Sequence, residues 1–125
     1  MVLRAHFGFS LLALAALTPA AASTARSTIC GSPPTGWKTS QPNKTQVVNT
    51  VAIRKEKGTV LTWNGASVTP RQLREYVQIT KSMNPSPTLL LIVSPSAECG
   101  EVRRLREMIQ ETLRCENGQC VEIGA

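Results

Sequence analysis

Hydrophobic and polar positions alternate with different periods along this chain, and the changes of period predict its elements. Two β-prone runs, at residues 47–53 and 59–63, are separated by a turn containing Gly58, which is typical of a β-hairpin. Residues 88–93 form a continuous apolar run between prolines, as expected for a strand that is buried on both faces. Residues 120–123 follow as a last, short strand.

Two segments between these strands carry apolar residues at helical spacing. Thr69 suits the N-cap of the first helix and Pro70 suits its first position, whereas Pro85 and Pro87 prevent its continuation. The inner face of this helix is predicted to carry Leu73, Tyr76, Val77 and Thr80. The second helix is predicted to bury Val102, Leu105, Ile109, Thr112 and Leu113. Its solvated side is predicted to carry Arg103, Arg104, Arg106, Glu107 and Glu111.

The folded domain is predicted to span residues 47–125, with the order β-β-α-β-α-β. Asn64 and Gly65 form a turn after the second strand, and Ser67 and Val68 are an extended step that leads into the first helix. Each helix is long enough to return the chain for parallel pairing with a right-handed crossover. The sequence therefore predicts an α+β fold of two layers, in which both helices cover one face of a mixed sheet.

The N-terminal region has a different composition. Residues 1–22 combine a basic start, an apolar run and a small-residue ending, which is the layout of a signal peptide cleaved after Ala22. A retained inner-membrane anchor is the alternative, although a spanning helix needs ~20 apolar residues and Pro19 interrupts this run. Both interpretations place the domain outside the cytosol, in the periplasm. Residues 23–46 are rich in Ser, Thr, Pro and Gly, which predicts a flexible linker.

The chain contains four cysteines, Cys30, Cys99, Cys115 and Cys120. In a short exported chain they predict two disulfides, for which three pairings exist. An Asn-Gly turn favours a local bond between Cys115 and Cys120, which leaves Cys30 to pair with Cys99. Zinc is the alternative, but the only histidine, His6, lies in the leader, so no metal site is predicted.

Charge narrows the choice of partners only slightly. Lysine and arginine outnumber the acidic residues by 14 to 8, for a formal charge of +6. The basic residues are spread along the chain with glutamates between them, and an exported domain has little access to nucleic acid, so no nucleic-acid partner is predicted. Contact with an anionic envelope polymer or a membrane surface is compatible with the basic balance.

Groups for catalysis are scarce after the leader, because the chain contains neither histidine nor aspartate beyond residue 22. Glu98 and Glu101 flank the start of the second helix, where the helix dipole favours negative charge. Ser94 and Ser96 lack a base that would activate them, and Gly58 belongs to a turn rather than to a phosphate-binding loop. We therefore predict that the protein is not an enzyme, has no catalytic residue and uses no cofactor.

Residues 53–73 carry a strand, a glycine turn, a strand, an Asn-Gly turn and a Val-Thr step before a helix with an early Leu73. This order resembles the periplasmic domain of the ExbD/TolR biopolymer-transport family, and the likeness extends over roughly residues 48–123. The resemblance implies a non-enzymatic interaction module in energy-coupled envelope transport or envelope integrity. It also implies protein partners in the envelope and a homodimer, with strand pairing at an edge near residues 121–123 or 47–53.

The chain departs from the family pattern at three places. The leader contains no acidic residue, Pro95 and Ser96 stand where the family carries an Ala-Asp pair, and Glu101 or Val102 stands in place of a tyrosine. No functional residue of the family is therefore transferred to this chain. Two alternative functions follow: a signal-anchored accessory subunit of a transport system, or a small secreted, disulfide-bonded binding or inhibitor protein that shares only the fold.

Overall fold

A computed structural model of the protein describes residues 29–125. The elements are β1 (Val48–Lys55), β2 (Thr59–Trp63), β3 (Ala66–Val68), α1 (Pro70–Ser82), β4 (Thr88–Val93), α2 (Cys99–Thr112), a 3-10 turn (Cys115–Asn117) and β5 (Cys120–Gly124). The predicted signal peptide and the first part of the predicted linker lie outside the described residues. Within the described part of the chain, neither helix has the length and apolar character needed to cross a membrane.

The five strands form one mixed sheet in the order β3-β2-β1-β4-β5. β1 is antiparallel to β2 and parallel to β4, while β5 runs parallel to β4 and β3 antiparallel to β2. Side chains from α1 and α2 pack into one core cluster with the same face of the sheet. The predicted α+β class with two helices is confirmed, and the extended step before α1 is a short additional strand, β3.

Local sequence chemistry accounts for α1. The Thr69 hydroxyl accepts a hydrogen bond from the backbone N–H of Gln72 at 3.1 Å, and the Gln72 side chain accepts one from the Thr69 N–H at 2.9 Å. This reciprocal capping box, with Pro70 at the first position, satisfies donors that a helix start leaves free. Leu73, Val77 and Thr80 are buried as predicted, but Tyr76 lies on the exposed flank of the helix.

Both faces of β4 are buried, in agreement with its continuous apolar run. Leu89, Leu91 and Val93 face the helices and belong to the main core. On the opposite face, Leu90 joins Val121 and Ile123 of β5 in a second, smaller cluster. The long apolar run of β4 therefore contributes to two cores, which explains why it has no polar alternation.

Residues 29–38 form an N-terminal strap that packs on the domain. The Trp37 side chain is only 8% exposed, belongs to the main core and donates its indole N–H to the Gln110 side chain at 2.9 Å. The backbone of Lys38 pairs with β5, donating to the Cys120 carbonyl at 3.0 Å and accepting from the Glu122 N–H at 2.9 Å. This part of the predicted flexible linker is therefore packed on the domain, because the Trp37 side chain inserts into the core.

The sheet edges differ from those expected. β1 lies between β2 and β4, so the predicted edge at residues 47–53 is wrong. β5 is the last strand on its side, but Lys38 already pairs along its outer edge. The strap thus covers part of a strand edge that would otherwise present free backbone donors and acceptors.

Candidate functional site

The structure contains both predicted disulfides. Cys115 and Cys120 are joined across the turn that precedes β5, with their Cα atoms 4.7 Å apart. Cys30 is joined to Cys99 at the start of α2, with a Cα–Cα distance of 5.1 Å, and this bond fastens the strap to the helix. The first bond closes the turn between α2 and β5, whereas the second joins the strap to the first residue of α2.

The candidate polar residues near the start of α2 are engaged in turns and ion pairs. Lys55 donates to the Glu98 carboxylate, and this hydrogen bond together with the positive charge of Lys55 lowers the pKa of Glu98. Glu101 forms an ion pair with Arg104 at 3.0 Å. The hydroxyl oxygens of Ser94 and Ser96 lie 3.0 Å apart in the turn after β4.

These groups therefore share one end of the sheet, as expected for residues that follow β1 and β4. Their partners are the ordinary ones of a helix start and a turn. Among residues 29–125, no three side chains of the His, Cys, Asp and Glu types converge in a way that could hold a metal ion.

A buried ion pair between Arg106 and Glu122 was missed by the sequence interpretation. The guanidinium contacts the Glu122 carboxylate through two hydrogen bonds of 2.6 Å each, from Nε and Nη2. The same guanidinium donates to the backbone carbonyls of Cys30 at 3.1 Å and Gly31 at 2.9 Å. Arg106 thus joins α2, β5 and the strap.

The prediction that Arg106 faces solvent is wrong, because the strap lies over that side of α2. Glu122 was the available signal, because it is a charged residue between the apolar residues Val121 and Ile123 of the last predicted strand. A carboxylate in such a position needs a cationic partner. The sequence did not indicate which arginine would provide it.

A surface along one flank of α1 and beyond its end carries exposed apolar side chains. Four of the five large apolar side chains that are exposed in the described part of the chain belong to it. They are Tyr76, Ile79, Met83 and Val47, with exposed fractions of 37%, 57%, 49% and 72%. We call this set the α1 apolar surface.

Helical spacing explains how the α1 apolar surface arises. Tyr76, Ile79 and Met83 follow one another at intervals of three and four residues, so their side chains emerge on the same side of α1. Tyr76 stacks on Trp63 of β2, with ring centroids 5.4 Å apart and planes inclined by 25°. The stacked ring restrains one end of the surface.

An open groove extends the α1 apolar surface beyond the end of the helix. The groove has a volume of about 620 Å³, and Met83 and Val47 both line it together with Pro85 and Pro87. Its lining contains no charged side chain. Between residues 57 and 98 the only acidic residue is Glu75, which lies 3.5 Å from Arg71 in an exposed ion pair. The groove therefore offers a partner apolar and uncharged polar contacts.

Comparison with protein-family models, with curated proteins and with solved structures finds no match to this chain. The function must therefore be argued from the geometry of the domain itself.

Proposed function

We propose that this protein is a non-enzymatic, exported interaction domain that contacts another protein of the cell envelope through the α1 apolar surface. The observation that carries the proposal is the exposure of Tyr76, Ile79 and Met83 along one flank of α1, with Val47 beside Met83 in the groove at its end. Single exposed apolar residues are common on protein surfaces, whereas contiguous apolar patches mark sites of association.

The composition of this surface suits a protein partner. Aromatic residues and methionine are enriched at the centres of protein interfaces, and charged residues are depleted there. Tyr76 is held against Trp63, so a partner would order little additional side-chain motion when it packs on this ring. The groove beside Met83 offers a concave seat for an apolar side chain of the partner.

The order of elements supports the envelope context of the proposal. Two helices on one face of a mixed sheet, preceded by a β-hairpin, agree with the ExbD/TolR-like arrangement, so we include a role in energy-coupled envelope transport or envelope integrity. A fold alone does not specify a function, and the surface carries the argument. The two disulfides favour a second candidate, a small secreted binding or inhibitor protein.

The proposal is tested by placing a photo-cross-linking residue at position 79 in the exported full chain. We expect cross-links to one defined envelope protein, and we expect the double variant Ile79→Ser with Met83→Ser to weaken binding of that purified protein about tenfold or more. The matched control is Gln78→Ser, an exposed polar position on the same helix, which should bind like the unmodified protein.

Unchanged binding by the double variant, or cross-links spread over many abundant proteins, would contradict the proposal. A partner found in the extracellular medium instead of the envelope would select the secreted binding protein. N-terminal sequencing of the exported protein separates the cleaved form, which starts at Ser23, from a signal-anchored subunit, which starts at Met1.

A further inference from the structure

The two disulfides of this domain stand in opposite environments. The cysteines of the Cys115–Cys120 bond are both fully buried and belong to the main core. In the Cys30–Cys99 bond, Cys99 is exposed in the first turn of α2, and Cys30 is only half-buried. Thiol–disulfide exchange begins when a thiolate attacks a sulfur, so access to the bond decides which one reacts in the folded protein.

We propose that the Cys30–Cys99 bond is a redox-modification site, opened in the folded protein by a dithiol reductant, while the Cys115–Cys120 bond stays closed. Opening releases the outer part of the strap, residues 29–36, and leaves its inner end, Trp37 and Lys38, in place. This proposal concerns the strap and α2, so it stands independently of the α1 apolar surface.

The exchange proceeds in two balanced steps. A thiolate of the reductant attacks the sulfur of the exposed residue Cys99, the Cys30–Cys99 bond breaks, and Cys30 departs as a thiolate that takes up a proton. The second thiolate of the reductant then attacks the reductant sulfur that is bonded to Cys99 in the mixed disulfide. Cys99 departs as a thiolate and is protonated in turn. The protein gains two electrons and two protons, and the dithiol becomes a disulfide. The backbone amides at the start of α2 stabilise the departing Cys99 thiolate.

The outer part of the strap has few other attachments to α2. Apart from the disulfide and a 3.6 Å contact between the Cys99 sulfur and the Ile29 carbonyl, its side-chain hydrogen bonds run from Arg106 to the carbonyls of Cys30 and Gly31. At its inner end, Gly36 also lies close to the backbone of Glu116. The guanidinium that donates these bonds is charged and buried, so they hold the segment while the strap covers it. Once the disulfide is open, water can enter between the strap and α2 and replace the two carbonyls as acceptors. Loss of the covalent bond therefore leaves residues 29–36 free to detach from α2.

The inner end of the strap, Trp37 and Lys38, is held differently. Trp37 is inserted in the core and donates to Gln110, and Lys38 makes two backbone hydrogen bonds with β5. None of these contacts depends on the Cys30–Cys99 bond. After reduction Trp37 therefore still anchors the strap, whereas residues 29–36 are released and can span about 26–29 Å when extended.

The experiment treats the native full chain with a small dithiol, then labels free thiols and maps them by mass spectrometry. We expect Cys30 and Cys99 to be labelled faster than Cys115 and Cys120 by a factor of about ten or more. At short labelling times, amide hydrogen exchange on the reduced protein should rise in residues 29–36, whereas β5 and α1 should stay protected.

The variant Cys30→Ser with Cys99→Ser should show the same exchange pattern without reductant and no further change when the dithiol is added. Simultaneous reduction of both disulfides, or no labelling of Cys30 and Cys99 before unfolding, would overturn the proposal. Unchanged protection of residues 29–36 after reduction would overturn the release of the strap. Because labelling and exchange are measured on the unmodified chain, the outcome does not depend on whether the serine variant folds.

Discussion

At the scale of single residues, Arg106 shows how one side chain can connect parts of the chain that are far apart in sequence. It bonds to Glu122, 16 residues away, and to Cys30, 76 residues away. Both charges are removed from water, so their stabilisation depends on mutual pairing and on the additional carbonyl acceptors from the strap. Breaking such a pair leaves one charge buried without compensation.

This residue-level reasoning predicts that Glu122→Gln is strongly destabilising. Loss of the carboxylate leaves the buried Arg106 guanidinium without its counter-charge, which should lower the free energy of unfolding by about 3–5 kcal/mol. Urea denaturation followed by circular dichroism measures the change. The control Glu107→Gln alters an exposed carboxylate on α2 and should change stability by less than about 0.5 kcal/mol. Equal denaturation midpoints for the two variants would refute this role of the ion pair.

At the scale of elements, the strap behaves as a structural segment although it contains no helix or strand of its own. It crosses the turn at Cys115–Asn117 so closely that a Cβ atom at Gly36 would lie 2.6 Å from the Glu116 Cα atom. Gly36 also has a φ of +92°, which side chains other than glycine rarely adopt. The crossing therefore requires glycine for two separate reasons.

A pair of glycine substitutions separates these two reasons. Gly31→Ala places a Cβ at a φ of +77° with no atom within 4 Å, so it tests backbone strain alone, at about 1–2 kcal/mol. Gly36→Ala adds the clash with Glu116 and should cost more than Gly31→Ala by about 1 kcal/mol or more. Thermal unfolding of both variants provides the comparison. If Gly36→Ala is as stable as Gly31→Ala, or more stable, the inferred close contact between Gly36 and Glu116 is wrong.

At the scale of the whole molecule, the two disulfides constrain the chain over very different lengths. The Cys30–Cys99 bond closes a separation of 69 residues, which includes the strap, four strands and α1. The Cys115–Cys120 bond closes a separation of 5 residues around one turn. A cross-link restricts the unfolded chain more when the loop that it closes is longer.

Removal of the long-range disulfide should therefore destabilise the domain strongly. In the chain-entropy description, Cys30→Ala with Cys99→Ala loses about 4 kcal/mol, whereas the short loop of Cys115–Cys120 accounts for about 2 kcal/mol. Guanidinium denaturation of the two double variants measures these losses. Cys115 and Cys120 are buried, so replacing them also removes core packing and adds to the loss of stability at that bond. The decisive measurement is therefore the loss for Cys30→Ala with Cys99→Ala. An unchanged midpoint for Cys30→Ala with Cys99→Ala would contradict the prediction.

Features that depend on neighbouring residues could be predicted from the sequence. The hairpin around Gly58, the capped start of α1 at Thr69 and the doubly buried β4 all follow from turn chemistry, capping and periodicity. The pairing of four cysteines was also accessible, because one pair flanks a strong turn former. The candidate interaction surface was not predicted, because the helical spacing of Tyr76 fits the buried face of α1 as well as the flank next to that face.

The sequence by itself determined the succession of elements, the two-layer class and the positions at which the chain turns, because these depend on residues a few places apart. Only the tertiary structure decided that Trp37 belongs to the core, that Arg106 is buried and that β1 is central. Each of these depends on contacts between distant segments, such as the hydrogen bond from Trp37 to Gln110 over 73 residues. Local propensity carries no information about such contacts, since burial is decided by which segments come together when the chain folds.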